Sequence, residues 1–275
     1  MRSVAMLPGM GNGLDGTDQD GIGKPGIGGT GGVGSTEKGA NEITGLRLWL
    51  KGNAGIVIDT NAPSQTISQW SDQSGLGNHQ INTTKSQQPA YVTNVANGNY
   101  AVAFSGSPVT LIGTGALTNL VAGTDVPYTV FAVARQFNAF NVAVASWGTD
   151  GGGGRARSEH RSNGGGQTRY TRQDDAGTIV TGTQDGSSIS NFFLLGWVFT
   201  GTNCVMYANS SNSIQAANLG SCTHNNFRVG SWATNGINAG FLNGEIAELI
   251  VYNKELTSTE ITTVTNYLVP KYNLF

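Results

Sequence analysis

The chain has 275 residues, a length within reach of one large all-β domain plus an appended segment. Charged residues make up 12% and the net charge is -2, so no global field draws it to nucleic acid or to an anionic membrane, and partners must be recognised by local shape. Apolar residues, 38% of the total, come in short bursts that never approach the roughly 20 consecutive positions of a membrane-spanning helix, which predicts a soluble chain.

Residues 1–10, MRSVAMLPGM, lack the apolar core of about 7–15 residues that a secretory leader needs, which predicts folding in a cytoplasm. Thirteen of the first 40 residues are glycine, with no period of 2 or 3.6 among the few apolar ones. Such a segment buries too little surface to offset an ordering cost of roughly 1–2 kcal/mol per residue. Two G-x-G-x-x-G matches, Gly11–Gly16 and Gly21–Gly26, lack the flanking strand and helix of a nucleotide loop, and Pro25 interrupts the second. The acidic run LDGTDQDG (14–21) lacks the spacing of a calcium loop. Composition changes sharply near residues 40–45, so 1–44 reads as an extended Gly-rich arm and 45–275 as a folded domain. Extended glycine-rich chain becomes ordered by adding backbone hydrogen bonds to another surface. Gly21, Gly23, Pro25, Gly26, Gly28 and Gly29 are therefore the candidate partner-anchoring residues.

Beyond the boundary, strands are expected at 46–50, 100–104, 128–135, 141–147, 192–199, 204–208 and 245–252, separated by Gly, Asn, Ser and Asp clusters. Strands without amphipathic helices between them form antiparallel sheets, and this many of them pack as a sandwich. Five of the 15 Lys and Arg residues fall between Arg155 and Arg172. Arg155, Arg157, Arg161, Arg169 and Arg172 are candidate contacts for an acidic partner or an anionic sugar. The alternative is a solvated hairpin in which Glu159, Asp174 and Asp175 answer the charge. Trp147, Tyr170 and Trp232 suit sugar stacking but also suit a core. Cys204 and Cys222 are too few for a disulfide framework and read as two buried thiols, although a hairpin centred near Ser213 would bring them face to face. His79, His160 and His224 show no metal spacing, and no G-x-S-x-G elbow occurs. At the end, Thr257 and Glu260 form a capping box ahead of Ile261, Val264, Tyr267 and Leu268. This predicts one short C-terminal helix, stopped by Pro270, laying its stripe on the sandwich edge.

In order along the chain, GLRLWLKG (45–52), ISQWSDQSGLGNH (67–79), QPAY (88–91), NGNYAVAFSG (97–106), YTVFAVAR (128–135), ASWG (145–148), FRVGS (227–231) and the run from FLNGEIAELIVY to the terminus resemble a laminin-G-like jelly roll of the concanavalin A-like lectin/glucanase fold. The resemblance covers residue 45 onward and implies an all-β, antiparallel jelly-roll sandwich. Domains of this kind occur in bacterial surface proteins and bacteriophage virion proteins. Some relatives hold calcium at the sandwich rim, where Asp72 and Asn78 would offer hard oxygen ligands; a hydrogen-bonded turn is the competing reading, and no other cofactor is expected. Hydrolases of the fold carry carboxylates two residues apart on one strand. Here Glu245 and Glu248 are three apart, which on a regular strand puts them on opposite faces, one to solvent and the other paired at the sheet edge.

Together these readings predict a non-enzymatic bacteriophage-type virion protein, assembled in the host cytoplasm and carried in multiple copies. A capsid decoration or fibre-like component would dock on capsid or tail subunits by its arm and display a sandwich that contacts surface glycans. A carbohydrate-binding module or adhesin with the arm as linker is the alternative.

Overall fold

The computed structural model describes residues 39–60, 65–113, 120–121, 123–137, 142–148, 157–163, 167–185, 191–201, 203–209, 211–216, 218–224, 226–234 and 237–275. The candidate anchoring residues Gly21, Gly23, Pro25, Gly26, Gly28 and Gly29 lie outside them, as does Arg155.

Two antiparallel sheets face each other. The first joins β1 (Leu46–Lys51), β5 (Ala90–Val92), β6 (Ala101–Ser105), β9 (Tyr128–Gln136), β14 (Phe193–Phe199), β15 (Cys204–Ala208), β16 (Ser211–Ala216) and β21 (Asn243–Tyr252). Its order is β16-β15-β14-β9-β21-β6-β5, with β1 also pairing β21. The second joins β2 (Ile56–Ile58), β3 (Ile67–Trp70), β4 (Gln80–Ile81), β7 (Leu111–Gly113), β10 (Val142–Gly148), β11 (Arg157–Asn163), β12 (Gln167–Gln173), β13 (Ile179–Asp185) and β18 (Phe227–Val229), in the order β13-β12-β11-β10-β18-β7-β4-β3-β2. Two small two-stranded sheets, β8 (Gly123–Thr124) with β17 (Thr223–His224) and β19 (Trp232–Thr234) with β20 (Ile237–Ala239), complete the described strands. Every long strand expected from the sequence is present within two residues at each end. The arginine-rich stretch forms the β11–β12 hairpin, paired onward to β13.

Alternation along the strands builds two apolar layers. Leu48, Leu50, Val102, Phe104, Val130, Ala132, Leu195, Trp197, Leu249 and Val251 point between the sheets and meet Trp70, Leu111, Val144, Trp147, Tyr170 and Phe227. Their neighbours Trp49, Phe131, Val133, Leu194, Ile250 and Tyr252 point the other way and form a second cluster with Val264, Leu268 and Tyr272 of the helix α1 (Ser258–Tyr272). This is why β9, β14 and β21 read as nearly continuous apolar runs: both of their faces are covered.

The helix begins as expected: Thr257 accepts from Glu260 N–H, and the Glu260 side chain accepts from Thr257 N–H. Two expectations are corrected. The helix covers a sheet face rather than an edge, because the outward residues of the central strands are as apolar as the inward ones. It also runs through Pro270 to Tyr272 and ends on Asn273 in the left-handed region, where Asn273 N–H donates to Val269 O. Lys271 and Tyr272 are held by contacts to the sheet, which keeps the last turn helical despite the proline. Residues 39–44 pack in the same layer: Ala40 and Ile43 are buried, and Tyr252 Oη donates to Ala40 O at 2.9 Å.

Candidate functional site

The outer face of the first sheet is not covered to its end. Beyond the last helical turn, a cleft of about 730 Å3 opens between the 92–97 segment, the strand ends and the chain terminus. That volume suits a small ligand.

Its floor is set by strand register. Ala134 and Ile246 face the core between the sheets, so the adjacent Arg135 and Glu245 face outward, and the two are direct cross-strand partners on β9 and β21. Arg135 Nε and Nη2 both reach Glu245 Oε2, at 2.9 and 2.8 Å. The guanidinium lies 4.8 Å from the Phe192 ring centre and 5.1 Å from that of Phe137. Glu245 is only 6% exposed.

The walls are rich in asparagine. Asn94, Asn97, Asn209 and Asn273 line the cleft, each with φ between 51° and 55°. Asparagine tolerates this left-handed conformation better than other non-glycine residues, and such positions gather where backbone shape is constrained. Asn97 and Asn99 amides donate to Lys271 O at 3.1 and 2.8 Å, tying one wall to the helix end.

Glu248 corrects the sequence reading of the carboxylate pair. A register shift between Ile246 and Glu248 breaks the alternation, so Glu245 and Glu248 share the outer face instead of opposing each other. Neither faces solvent at an edge. Glu248 is fully buried and accepts from Trp49 Nε1 and Tyr267 Oη on Oε1, and from Lys271 Nζ (2.9 Å) and Tyr272 Oη (2.7 Å) on Oε2. With both oxygens engaged, it serves as the pin between helix and sheet.

The arginine cluster is divided. Arg172 is fully buried, pairs with Asp125, donates to Gly201 O at 3.2 Å and lies 4.6 Å from the Phe199 ring centre. It is a core residue rather than a surface contact, because period-2 alternation turns it inward beside Tyr170. Burial alone would raise the Asp125 carboxyl, but bonds from Ser221, Cys222 N–H and Arg172 hold it below the ordinary range. Arg169 is half-buried and sits opposite Arg161 in the β11–β12 register, while Arg157 sits opposite Gln173. The side chains of Arg157 and Arg161 lie outside the described residues.

No family model matches the sequence, and no curated protein matches it. Solved structures do. Trypanosoma rangeli sialidase in complex with sialic acid aligns with a TM-score of 0.55 at 14% identity, over 83% of this chain and 33% of that one. The binding domain of Paraclostridial Mosquitocidal Protein 1 gives 0.55 at 12% identity, over 81% and 52%. The Botulinum neurotoxin serotype D ligand binding domain in complex with N-acetylneuraminic acid gives 0.51 at 12% identity, over 82% and 51%. The chain spans a third to about half of those proteins. It has the fold of the lectin-like all-β sandwiches.

Other sequence-singled residues find structural roles in this lectin-like sandwich. Asp72 is 7% exposed and takes four donors: Trp49 N–H and Ser74 N–H on Oδ1, Ser74 Oγ and Asn78 N–H on Oδ2, at 2.7–3.0 Å. Asn78 Nδ2 donates to Arg47 O at 2.7 Å. This is the hydrogen-bonded turn, with Gly75 and Gly77 at φ of 88° and 75°. Among the described residues, no three His, Cys, Asp or Glu side chains are grouped to hold a metal ion. Trp147 and Tyr170 are core residues, and Trp232 lies half-buried over Gly240, where any Cβ would meet its ring. Cys204 and Cys222 are buried and form no disulfide with each other; the cross-strand partner of Cys204 is Ala216.

The sequence singled out Glu245 only beside Glu248 and did not pair it with Arg135. The signal was their placement as charged residues closing and opening the two most apolar strands.

Proposed function

We propose that this protein is a non-catalytic, carbohydrate-binding sandwich that takes a glycan in the Arg135–Glu245 cleft. The observation that carries the reading is the lining itself. A charged, planar, cross-strand pair is flanked by asparagine amides and by the Phe192 ring, in an open cleft of ligand size. Planar polar groups match paired sugar hydroxyls, and an aromatic ring matches the apolar face of a pyranose. The complexes of similarly folded proteins with sialic acid and N-acetylneuraminic acid support a glycan as the ligand class. Glu248, the other carboxylate of the strand, is enclosed by four donors, which favours binding over hydrolysis.

The biological setting we propose is a bacteriophage-type virion surface component, with the glycine-rich residues before position 39 as the anchor to capsid or tail subunits and the sandwich facing host glycans. The glycine-rich composition of that segment supports it. A glycan array with the intact chain and with Arg135→Ala tests the binding reading: binding that is lost in the variant is expected, and an array silent across all glycans refutes it. Deletion of residues 1–38, which spares the packed Ala40, is expected to abolish particle incorporation while leaving a folded sandwich; continued incorporation refutes the anchor.

A further inference from the structure

We infer that the cleft selects neutral, hydroxyl-rich glycans over acidic ones, an inference that rests on the glycan-binding reading above. Arg135 is the one Lys or Arg among the described residues lining the cleft. Its Nε and Nη2 are both committed to Glu245 Oε2, and aromatic rings of Phe192 and Phe137 pack against the guanidinium. The pair is formally neutral. An acidic sugar would have to draw Arg135 away, leaving a carboxylate that is 94% buried without its counter-charge, since Glu245 is 6% exposed. It would also place its own negative charge beside that carboxylate.

A neutral sugar meets neither obstacle. Glu245 Oε1 accepts no hydrogen bond and Arg135 Nη1 donates none among the described residues. One acceptor and one donor thus remain outside the ion pair itself. Sugar hydroxyls can satisfy them separately, one donating to Glu245 and another accepting from Arg135, without disturbing the ion pair. Asn94 and Asn191 on the walls each offer a donor and an acceptor and carry no charge. Selectivity therefore arises because the cation is already spoken for, in contrast to a site with an uncommitted arginine.

The test uses the full chain, titrated calorimetrically with matched oligosaccharides that share one neutral core and differ in carrying or lacking a uronic or sialic acid. Expected results are binding of the neutral core, affinity for the acidic counterpart lower by about tenfold or more, and neutral-core affinity unchanged between low and high salt. Glu245→Gln, checked for folding by thermal melting, frees the guanidinium and should raise the relative affinity for the acidic counterpart. If the acidic counterpart binds the wild-type chain as tightly as the neutral core, or if binding weakens steeply with salt, the selectivity is overturned while glycan binding stands. If neither glycan class binds, or binding is indifferent to Arg135→Ala, the underlying reading falls as well.

Discussion

Protonation of His224 should set the acid limit of this fold. The residue is 4% exposed and its ring stands edge-on to Tyr128, Trp147 and Phe199, with centroids 5.1, 6.0 and 6.0 Å away. Burial, and then the nearby Arg172 charge, lower its pKa from 6.5 to about 4; the carboxylates of Asp125 and Asp175 and a backbone hydrogen bond with Gly123 oppose this without reversing it. In the unfolded chain the imidazole titrates near 6.5. Between about pH 6.5 and 4 the unfolded state therefore binds the proton that the folded state refuses, and stability falls as pH falls through that window. A difference of about 2.5 units at 1.36 kcal/mol each corresponds to about 3 kcal/mol, fully present above pH 6.5 and lost by pH 4. Urea unfolding of the wild-type chain and of His224→Gln at intervals from pH 7.5 to 4 isolates this contribution, because the carboxylates titrate in both proteins. The wild-type profile should be steeper by about 3 kcal/mol over the window. Parallel profiles would refute the assignment of a neutral buried imidazole.

Glu248→Ala leaves Lys271 Nζ and Trp49 Nε1 without their shared carboxylate and should cost about 3–5 kcal/mol in urea unfolding; a loss below 1 kcal/mol would show that water replaces the pin. Thr257→Ala removes the helix N-cap and should lower stability by about 1 kcal/mol, measured the same way, with the sandwich strands unaffected in far-UV circular dichroism. Asp72→Ala strips an acceptor from three backbone N–H groups and should cost more than ~2 kcal/mol. Calcium and chelator are expected to leave the wild-type melting midpoint unmoved, and an upward shift with calcium would overturn the turn reading of Asp72.

The fold was legible where alternation or capping dominates. YTVFAVAR and EIAELIVY announce strands by β-branched and aromatic content, and Thr257 with Glu260 announces the helix start to the residue. The same apolar runs hid the second layer: continuous hydrophobicity says that both faces of a strand are covered, not by what. Arg172 was misread because five arginines in one stretch look like a surface, whereas a strand sends alternate residues inward, and only the core placement of Tyr170, two residues before it on the same strand, shows which. The pairing of Arg135 with Glu245 joins positions 110 residues apart. No local pattern encodes it; it exists because β9 and β21 become neighbours only when the sandwich closes.

The register shift in β21 between Ile246 and Glu248 links stability to the candidate site. Without it, Glu245 and Glu248 would occupy opposite faces, and one carboxylate would be driven into the apolar layer between the sheets. With it, both reach the outer face and part company there. Glu248 is captured under the helix by Lys271 and three aromatic donors, while Glu245, one turn of the pleat nearer the strand start, remains in the cleft with Arg135. The helix ends where the cleft begins, and Asn97 and Asn99 bind the Lys271 carbonyl at that boundary. The group that pins the helix thus also fixes how much of the sheet stays open, so the cleft wall and the stability of the last helical turn rest on the same few side chains.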